Sequence, residues 1–328
     1  MKAAVTSQEI YGLVASDLER VEEELRSYAN SPVEPIARIS RYLIDAGGKR
    51  VRPALLLLTS RMLGEVSAAT IRLAAVVELI HNATLVHDDV IDGSDMRRGR
   101  PSANAHWGNP MTVLAGDWLY MQSFAMALDE RNFDVLTTLI GITKKMVEGE
   151  LQQLTFLGRS DVSEADLLDI AERKTAYLFS GCTRLPEIVT GGDMASSEPL
   201  ARVGRDLGMS FQLVDDLLDL TSTRETLGKP VVSDLKEGKV TLPLCYALQD
   251  AGPEDLIKVE RVLEDRDFGD VIPADILKIV DRGNGVERTR RLAADYAQSA
   301  VEVLETYPPS VYREAMIAIP EFILHRQS

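Results

Sequence analysis

Apolar residues recur at intervals of three and four positions along almost the whole chain. The segments that carry them are rich in Ala, Leu, Glu and Arg, and glycine and proline cluster between the segments. This spacing is typical of amphipathic helices, because half-buried strands alternate at every second residue instead. No convincing run of alternating β-branched residues occurs in the sequence. The sequence therefore predicts an all-α fold.

The glycine and proline clusters give approximate helix boundaries. Ser163, with Asp166 three residues on, has the pattern of an N-terminal capping box. Pro53 suits the first turn of a helix, where its missing N–H has no partner to lose. The polar stretch 221–238 indicates either a mobile lid or an ordinary connection. The predicted helices cover residues 6–30, 33–46, 51–63, 67–92, 110–129, 131–157, 163–191, 197–220, 239–250, 254–265, 273–282, 285–306 and 308–325.

Composition narrows the class of protein. The 328 residues are 45% hydrophobic and show no compositional break, so we expect a single domain over residues 1–328. The formal net charge of −15 argues against nucleic acid as a partner. Cys182 and Cys245 lack the spacing of a metal or redox motif, which favours a reducing, cytoplasmic setting.

The sequence gives no signal for a membrane segment. Residues 1–29 have the pattern of an acidic amphipathic helix rather than that of a signal peptide. No stretch of about 18 uninterrupted apolar residues occurs, so no transmembrane segment is expected. An apolar substrate would therefore have to be enclosed by the protein.

The stretch LVHDDVID, residues 85–92, places three aspartates on an otherwise apolar helix. Asp88 and Asp92 lie one turn apart on the same face, with Asp89 beside them. Two carboxylates about 4 Å apart repel by about 4 kcal/mol at an effective dielectric constant near 20. The same D-D-x-x-D pattern returns in FQLVDDLLD as Asp215, Asp216 and Asp219.

Magnesium is the natural counter-charge for these carboxylates. It is a hard cation that binds one or two carboxylates, keeps several waters and completes its octahedron with phosphate oxygens. Two such helices facing each other would hold a diphosphate through several metal ions. A solvated acidic helix face is the alternative, and it explains one motif better than two.

Two basic clusters supply charge for an anion. GGKRVRP covers residues 47–53, and MRRGRP covers residues 96–101, just after the first aspartate motif. The planar guanidinium of arginine suits phosphate oxygens, and lysine adds a point charge. Alternatively, Arg97 and Arg98 serve only as salt-bridge partners of the aspartates. His81 taken alone is more typical of a core histidine.

Together these residues resemble the trans-prenyltransferases, the polyprenyl diphosphate synthases. The motifs are, in order, GGKRVRP, LIHNATLVHDDVIDGSDMRRGRP, GDWLY, KTAYL, FQLVDDLLD and GKPVVSDLKEGKVTLP, and the resemblance covers roughly residues 35 to 300. It implies an isoprenoid-synthase-type helical bundle around a central cavity, usually assembled as a homodimer. It also implies condensation of isopentenyl diphosphate with an allylic diphosphate.

The resemblance assigns a role to each matching position. About three magnesium ions would hold the allylic diphosphate, and the implied metal ligands are Asp88, Asp92, Asp215 and Asp219, with Asp89 and Asp216 completing the catalytic motifs. The diphosphate of the allylic substrate would be gripped by Arg97, Lys174, Lys229 and Lys239. The isopentenyl diphosphate pocket would consist of Lys49, Arg52, His81 and Arg98. Thr175 and Gln212 would lie along the allylic carbons, where a cation develops.

One segment departs from the family pattern. After KTAYL comes FSGCTRLPEIVTGG, where small residues are expected throughout. Pro186 and Glu187 inside a predicted helix indicate a local kink near Cys182.

The product is expected to be long. Short-chain members of the family usually place an aromatic residue one turn before the first motif, whereas Ala83 and Thr84 stand there. Ile80, Val77 and Val76 continue that face, and Phe124 or Met121 would form a floor. The resemblance thus favours octaprenyl diphosphate for quinone side chains, released with transient membrane contact.

Other readings of the motifs remain open. A short-chain synthase, making geranylgeranyl or farnesyl diphosphate, differs only in the depth of the tunnel. A class I terpene cyclase shares the fold but needs no isopentenyl pocket. A non-catalytic partner subunit would be expected to have lost aspartates and basic residues, which this chain retains.

Overall fold

The computed structural model describes residues 6–28, 31–221 and 231–326. Apart from one short hairpin, the regular structure of these residues is helical, and the predicted all-α fold is confirmed. The helices are α1 Ser7–Gly12, α2 Ala15–Tyr28, α3 Glu34–Asp45, α4 Val51–Leu63, α5 Ala68–Ile91, α6 Ala103–Trp107, α7 Asn109–Asp129, α8 Phe133–Thr155, α9 Glu164–Ala171, α10 Tyr177–Val189, α11 Glu198–Thr221, α12 Ser233–Lys236, α13 Leu242–Leu248, α14 Pro253–Asp265, α15 Pro273–Arg282, α16 Gly285–Leu304 and α17 Val311–Leu324. Strands β1 Met96–Arg97 and β2 Arg100–Pro101 pair antiparallel.

The chain divides into two compact units. Unit 1 contains Met1–Thr143, Gly181–Ala201 and Glu305–Met316, and unit 2 contains the remainder, Lys144–Ser180, Arg202–Leu304 and Ile317–Ser328. Because the chain crosses between them several times, neither unit is a continuous stretch of sequence. The single domain over residues 1–328 stays a prediction.

Helix α5 is the centre of unit 1. It is apolar on nearly all sides, and a helix of that kind is stable only when it is buried. Helices α2, α4 and α7 pack against it. Ser67 begins it with a capping box, in which its hydroxyl accepts a hydrogen bond from the N–H of Thr70. Each of its fully buried leucines and isoleucines stabilises the unit by about 1.5–3 kcal/mol.

By length and composition, α5 would also be able to cross a membrane. Its most apolar window has a mean hydropathy of 1.3, but 72% of that window is buried inside the protein. The core helix of a soluble protein has these same properties, so α5 is explained by packing.

Unit 2 has a hydrophobic core around α13, which packs against α9, α15 and α16. The core collects aliphatic side chains from several helices and from the segment before α12: Leu220, Val232, Leu235, Val240, Leu244, Val259, Val262, Leu263, Val271, Ile276, Ile279 and Val280. Among them, Val232, Leu235 and Val240 anchor the segment around α12.

The structure differs from the predicted helices where non-local packing prevails over local periodicity. The segment 6–30 is two helices, separated by a turn at Leu13 and Val14. The hairpin and the short helix α6 fall in the predicted gap 93–109. The segment 221–238 contains α12, and its residues 222–230 lie outside the described ranges. The capping box at Ser163 is present as predicted.

The long predicted helix 163–191 is interrupted by a π-helical segment at Glu172–Ala176, between α9 and α10. A π segment inserts one extra residue into a helix and is frequent at functional sites. Gly208 of α11 lies directly against it, since a Cβ at Gly208 would be 2.5 Å from the Cα of Ala176. The absence of a side chain at position 208 therefore permits this close packing.

We expect Gly208→Ala to lower the stability of the protein by about 1–3 kcal/mol, because the new methyl group meets backbone that cannot move away. The matched control is Gly141→Ala in α8, where nothing lies within 4 Å of the added Cβ. That substitution should raise stability by about 0.5–1 kcal/mol through helix propensity. Thermal unfolding of both variants measures the difference, and a Gly208→Ala midpoint at or above wild type would contradict the packing argument.

Candidate active site

The first aspartate motif lies at the C-terminal end of α5, in unit 1. Asp88 is half-buried, and Asp92 is exposed and forms the C-cap of the helix. Gly93 follows with φ +63°, a left-handed conformation that ends a helix easily when the residue is glycine. The helix end therefore presents two carboxylates, one turn apart, towards solvent.

Asp89 has a different environment from its two neighbours in the motif. It is only 2% exposed, and its Oδ1 accepts a hydrogen bond from Nε of Arg97 at 2.8 Å. Burial raises the pKa of Asp89, and the guanidinium of Arg97 opposes that rise. The pair fastens strand β1 to α5, and it is compatible with both predicted roles of Arg97, as a salt-bridge partner and as a phosphate ligand. Arg98 instead donates to the carbonyl oxygen of Gly47.

The basic loop, defined as residues 47–52, includes the first two residues of α4, Val51 and Arg52, in the same unit. Its centre is Arg50, which takes a left-handed conformation with φ +49° at the N-cap of α4. The guanidinium of Arg50 is buried and binds both Glu22, at 2.5 Å, and Glu78, at 2.8 Å. The hydroxyl of Tyr11 donates to the carbonyl oxygen of Lys49 at 2.7 Å.

His81 lies within the basic cluster. Burial, together with Arg52, Arg98, Arg97 and Arg50, lowers the pKa of His81 well below its ordinary value. The imidazole is therefore neutral at pH 7 and offers one N–H donor and one acceptor. His81 and the four arginines that act on it electrostatically are called the basic patch below.

The second motif lies near the end of α11, in unit 2, and its aspartates also have different surroundings. Asp215 is the more open one, with its side chain 41% exposed and its Oδ1 3.0 Å from a guanidinium nitrogen of Arg326. Burial raises the pKa of Asp216 to about 8. Asp219 is 3% exposed, and its carboxylate accepts hydrogen bonds from Ser233 Oγ at 2.6 Å and from the backbone N–H groups of Ser233 and Asp234 at 3.2 Å. Asp219 thus anchors the start of α12.

The π segment positions Lys174 and Thr175 in unit 2. The hydroxyl of Thr175 donates to Oε1 of Gln212 at 2.7 Å, and Nε2 of Gln212 donates to Oδ1 of Asp216 at 3.0 Å. Lys174 contacts the carboxylate of Glu150 at 2.5 Å. Lys174, Gln212 and Asp216 line a cavity of ≈ 110 Å³ within this unit.

The donor atoms at both motifs suit a hard divalent cation. Carboxylate oxygens are the ligands that magnesium and calcium prefer. Within residues 6–28, 31–221 and 231–326, no three His, Cys, Asp or Glu side chains are already gathered as a ready metal site. A metal ion bound at either motif would therefore need further ligands, such as water and phosphate oxygens. Two of the lysines predicted to bind the allylic diphosphate follow the second motif. Lys229 lies outside the described ranges. Nζ of Lys239 lies 2.9 Å from a carboxylate oxygen of Glu237.

The residues predicted to control chain length belong to unit 1. Ala83 and Ile80 are fully buried at 0% exposure, as are Val76 and Val77. Thr84 donates to the carbonyl oxygen of His81 at 2.7 Å. Phe124 is half-buried, whereas Met121 is 63% exposed in the single chain and is therefore not enclosed within it.

The segment FSGCTRLPEIVTGG departs from the family pattern, and in this segment α10 continues through Pro186 to Val189. Cys182 is fully buried there, and burial raises the pKa of its thiol to about 12. The thiol is therefore protonated and unreactive at neutral pH.

Three important residues were not identified from the sequence. Glu78 and Glu22 pair with Arg50, and Arg326 pairs with Asp215. Glu78 lies three residues before His81 on α5, a spacing that puts both on one helix face and would have been a usable signal. No local pattern marks Arg326.

Comparison with known proteins identifies the family. Residues 33–278 match the polyprenyl synthetase family. The chain is 37% identical over 311 residues to an octaprenyl diphosphate synthase of Haemophilus influenzae, covering 95% of this chain and 94% of that one. It is 35% identical over 324 residues to a short chain isoprenyl diphosphate synthase of Methanothermobacter thermautotrophicus, covering 97% and 99%.

A solved structure resembles the whole chain. A polyprenyl synthase from Caulobacter crescentus, in complex with calcium and isoprenyl diphosphate, superposes with a TM-score of 0.93 at 34% identity and covers 100% of both chains. The resemblance drawn from the six motifs is thereby confirmed. The chain therefore belongs to the polyprenyl synthetase family of prenyltransferases.

Proposed function

We propose that this enzyme condenses isopentenyl diphosphate with an allylic diphosphate, farnesyl or geranyl, in successive steps to give an all-trans octaprenyl diphosphate. The observation that carries the proposal is the arrangement in unit 1, where the solvent-facing carboxylates of Asp88 and Asp92 end a helix that also carries His81, part of the basic patch. Carboxylates for metal ions and arginines for phosphate are the two requirements for binding a diphosphate. The octaprenyl synthase from Haemophilus influenzae supports the choice of product.

We propose that the divalent cation is magnesium and that each active site binds about three ions. Asp88, Asp92 and Asp215 are the ligands best suited to it because they are the open carboxylates of the two motifs. When bound, the ions neutralise the charge that builds up on the departing diphosphate. Asp219 is a weaker candidate, since its carboxylate already accepts three hydrogen bonds from the start of α12.

The basic residues divide between the two substrates. Lys49, Arg52, His81 and Arg98 are assigned to isopentenyl diphosphate, and Arg97, Lys174, Lys229 and Lys239 to the allylic diphosphate. Arg97 and Lys174 contact the carboxylates of Asp89 and Glu150 in the described structure. Contact with a diphosphate would therefore compete with these ion pairs or be added to them.

Thr175 and Gln212 are assigned to the allylic carbon chain. Because Gln212 donates to Asp216 through Nε2, its Oε1 is the atom that accepts from Thr175. The hydroxyl oxygen of Thr175 then keeps its lone pairs for a developing carbocation, which oxygen dipoles stabilise. The isopentenyl double bond attacks this cation, and a proton leaves to the released diphosphate. Water must be excluded, since it would convert the cation to an alcohol.

The principal test is a product assay with farnesyl diphosphate, labelled isopentenyl diphosphate and magnesium, with a chelated sample as control. We expect a magnesium-dependent ladder of products that ends near octaprenyl diphosphate. Asp88→Asn should lower the rate by at least about 100-fold, as expected on loss of a group that stabilises transition-state charge. The matched control Asp95→Asn alters an exposed aspartate outside the motif and should keep wild-type activity. A cyclic hydrocarbon, or no incorporation of label, would contradict the proposal.

Small side chains before the first motif support the long product. Ala83 is fully buried one turn before Asp88, so a larger side chain there would fill interior space beside the metal-binding end of α5. The relative from Methanothermobacter thermautotrophicus, named a short chain synthase, keeps geranylgeranyl or farnesyl diphosphate open as the product.

Replacing Ala83 by Phe should shorten the product to geranylgeranyl diphosphate or less, because the aromatic ring blocks elongation. The added volume should also cost about 1–3 kcal/mol of stability, so folding is checked by circular dichroism. Ala83→Ser, which keeps a small side chain, is the control and should leave the product distribution unchanged. An unchanged distribution for Ala83→Phe would remove residue 83 from the control of chain length.

A homodimer is the proposed assembly, in the cytoplasm. On α7, Leu114, Met121 and Leu128 are 64%, 63% and 58% exposed. Their spacing of seven residues places them on one face, since a helix drifts by only about 20° over that length. An exposed apolar stripe of this kind is typical of an interface. Polyprenyl products made for quinones would then leave through transient contact with a membrane.

Light scattering of the intact protein should give twice the chain mass of 36.1 kDa. Glutamine at both Leu114 and Leu128 should shift the mass towards that of a monomer. Ile257→Gln is the control, because Ile257 is also 57% exposed but lies on α14. A wild-type monomer at micromolar concentration would contradict the proposed dimer.

A further inference from the structure

Glu78 is a buried carboxylate that none of the site assignments above includes. It lies on α5, is 2% exposed, and its Oε1 accepts a hydrogen bond from Arg50 at 2.8 Å. A buried carboxylate is retained only where a positive group compensates it. Arg50, which is 9% exposed, is likewise a buried charge, and Glu78 compensates it.

Glu78 also acts electrostatically on a second arginine, Arg98. Burial is the main cause that lowers the pKa of Arg98, and Glu78 opposes this shift. The positive charges of Arg50 and Arg97 lower the pKa of Arg98 further. The arginines around His81 therefore repel one another, and Glu78 is an acid that offsets the repulsion from within. A basic patch with such a compensating charge can remain assembled before an anion arrives.

Arg50 fixes the backbone of the loop that carries Lys49 and Arg52. Its left-handed φ of +49° is unfavourable for a residue with a side chain, so other contacts must hold it. The contacts are the two carboxylates of Glu22 and Glu78 and the carbonyl oxygen of Ile44, 3.3 Å from the guanidinium. Because Lys49 and Arg52 flank this anchored residue, their positions depend on the ion pair beneath them.

We propose that Glu78 is a positioning residue for isopentenyl diphosphate: through Arg50 it holds the loop of residues 47–52 in the conformation that receives the diphosphate. The inference rests on the proposed function, because it presumes that Lys49 and Arg52 bind that substrate. Glu78 itself touches no substrate. Its effect is transmitted by the Arg50 guanidinium to the backbone on either side.

Glu78→Gln should raise the KM for isopentenyl diphosphate by about 10- to 100-fold, as expected when binding groups shift by an ångström or less. The KM for the allylic diphosphate and kcat at saturating isopentenyl diphosphate should stay within about threefold of wild type, since Lys174 and the aspartates are not held by Arg50.

The matched control is Asp17→Asn. Asp17 is likewise 2% exposed in unit 1 and pairs with Arg61 at 2.7 Å, away from the loop. Loss of that buried pair should lower the melting temperature without changing either KM. A merely structural role of Glu78 would give the same pattern as Asp17→Asn, and that result would overturn the proposal.

A second variant keeps the test decisive if Glu78→Gln leaves Arg50 as a buried uncompensated charge and fails to fold. The double variant Glu78→Gln with Arg50→Gln removes both buried charges, which buried sites tolerate better than the loss of one. Glu22 also loses Arg50, but its side chain is 27% exposed and can be solvated by water. It should fold and still show the raised KM for isopentenyl diphosphate. A folded double variant with wild-type KM would overturn the proposal. An inactive wild-type enzyme would instead refute the proposed function.

Discussion

The pairing of charges on apolar helices is the constraint on which this structure depends. A charge buried alone costs several kcal/mol, so the buried carboxylates of α5 are placed where an opposite group meets them. Asp89 with Arg97 and Glu78 with Arg50 are such pairs, and both join α5 to the segments that carry basic residues. The helix that forms the core of unit 1 is therefore also the support for its candidate anion site.

The same constraint separates the aspartates of each motif by role. Asp89 and Asp219 are almost fully buried and engaged with protein groups, whereas Asp92 is exposed and Asp215 is 41% exposed. The D-D-x-x-D pattern thus combines buried carboxylates that fasten neighbouring segments with carboxylates that are more exposed to solvent. Arg326, beside Asp215, supplies positive charge at an open carboxylate of unit 2.

Local signals in the sequence account for the regular parts of the fold and for the motifs. The sequence predicts the bounds of α4 and α15 correctly, since proline in the first turn and glycine after the last residue mark them. The π segment could not be predicted, because its pattern is that of an ordinary helix and only packing distinguishes it. Among the candidate site residues, periodicity identifies Asp88 and Asp215, but Glu78 and Arg326 lie far in sequence from their partners. Helical spacing places Glu78 on the same face as His81, but it does not reveal the pairing of Glu78 with Arg50 or of Arg326 with Asp215.

At the π segment, Glu172–Ala176, the directions of the side chains depend on the number of residues in the segment as well as on their identity. Deleting one residue there would remove the extra residue of the π turn, restore a continuous α-helix and change the directions of the side chains within the segment. Thr175 would then turn away from Gln212 even though both side chains were still present. In the loop before α9, Arg159 and Asp161 are exposed, so a length change between them would displace mainly solvent-facing backbone. Insertions and deletions should therefore be tolerated at residues 159–161 and excluded within the π segment.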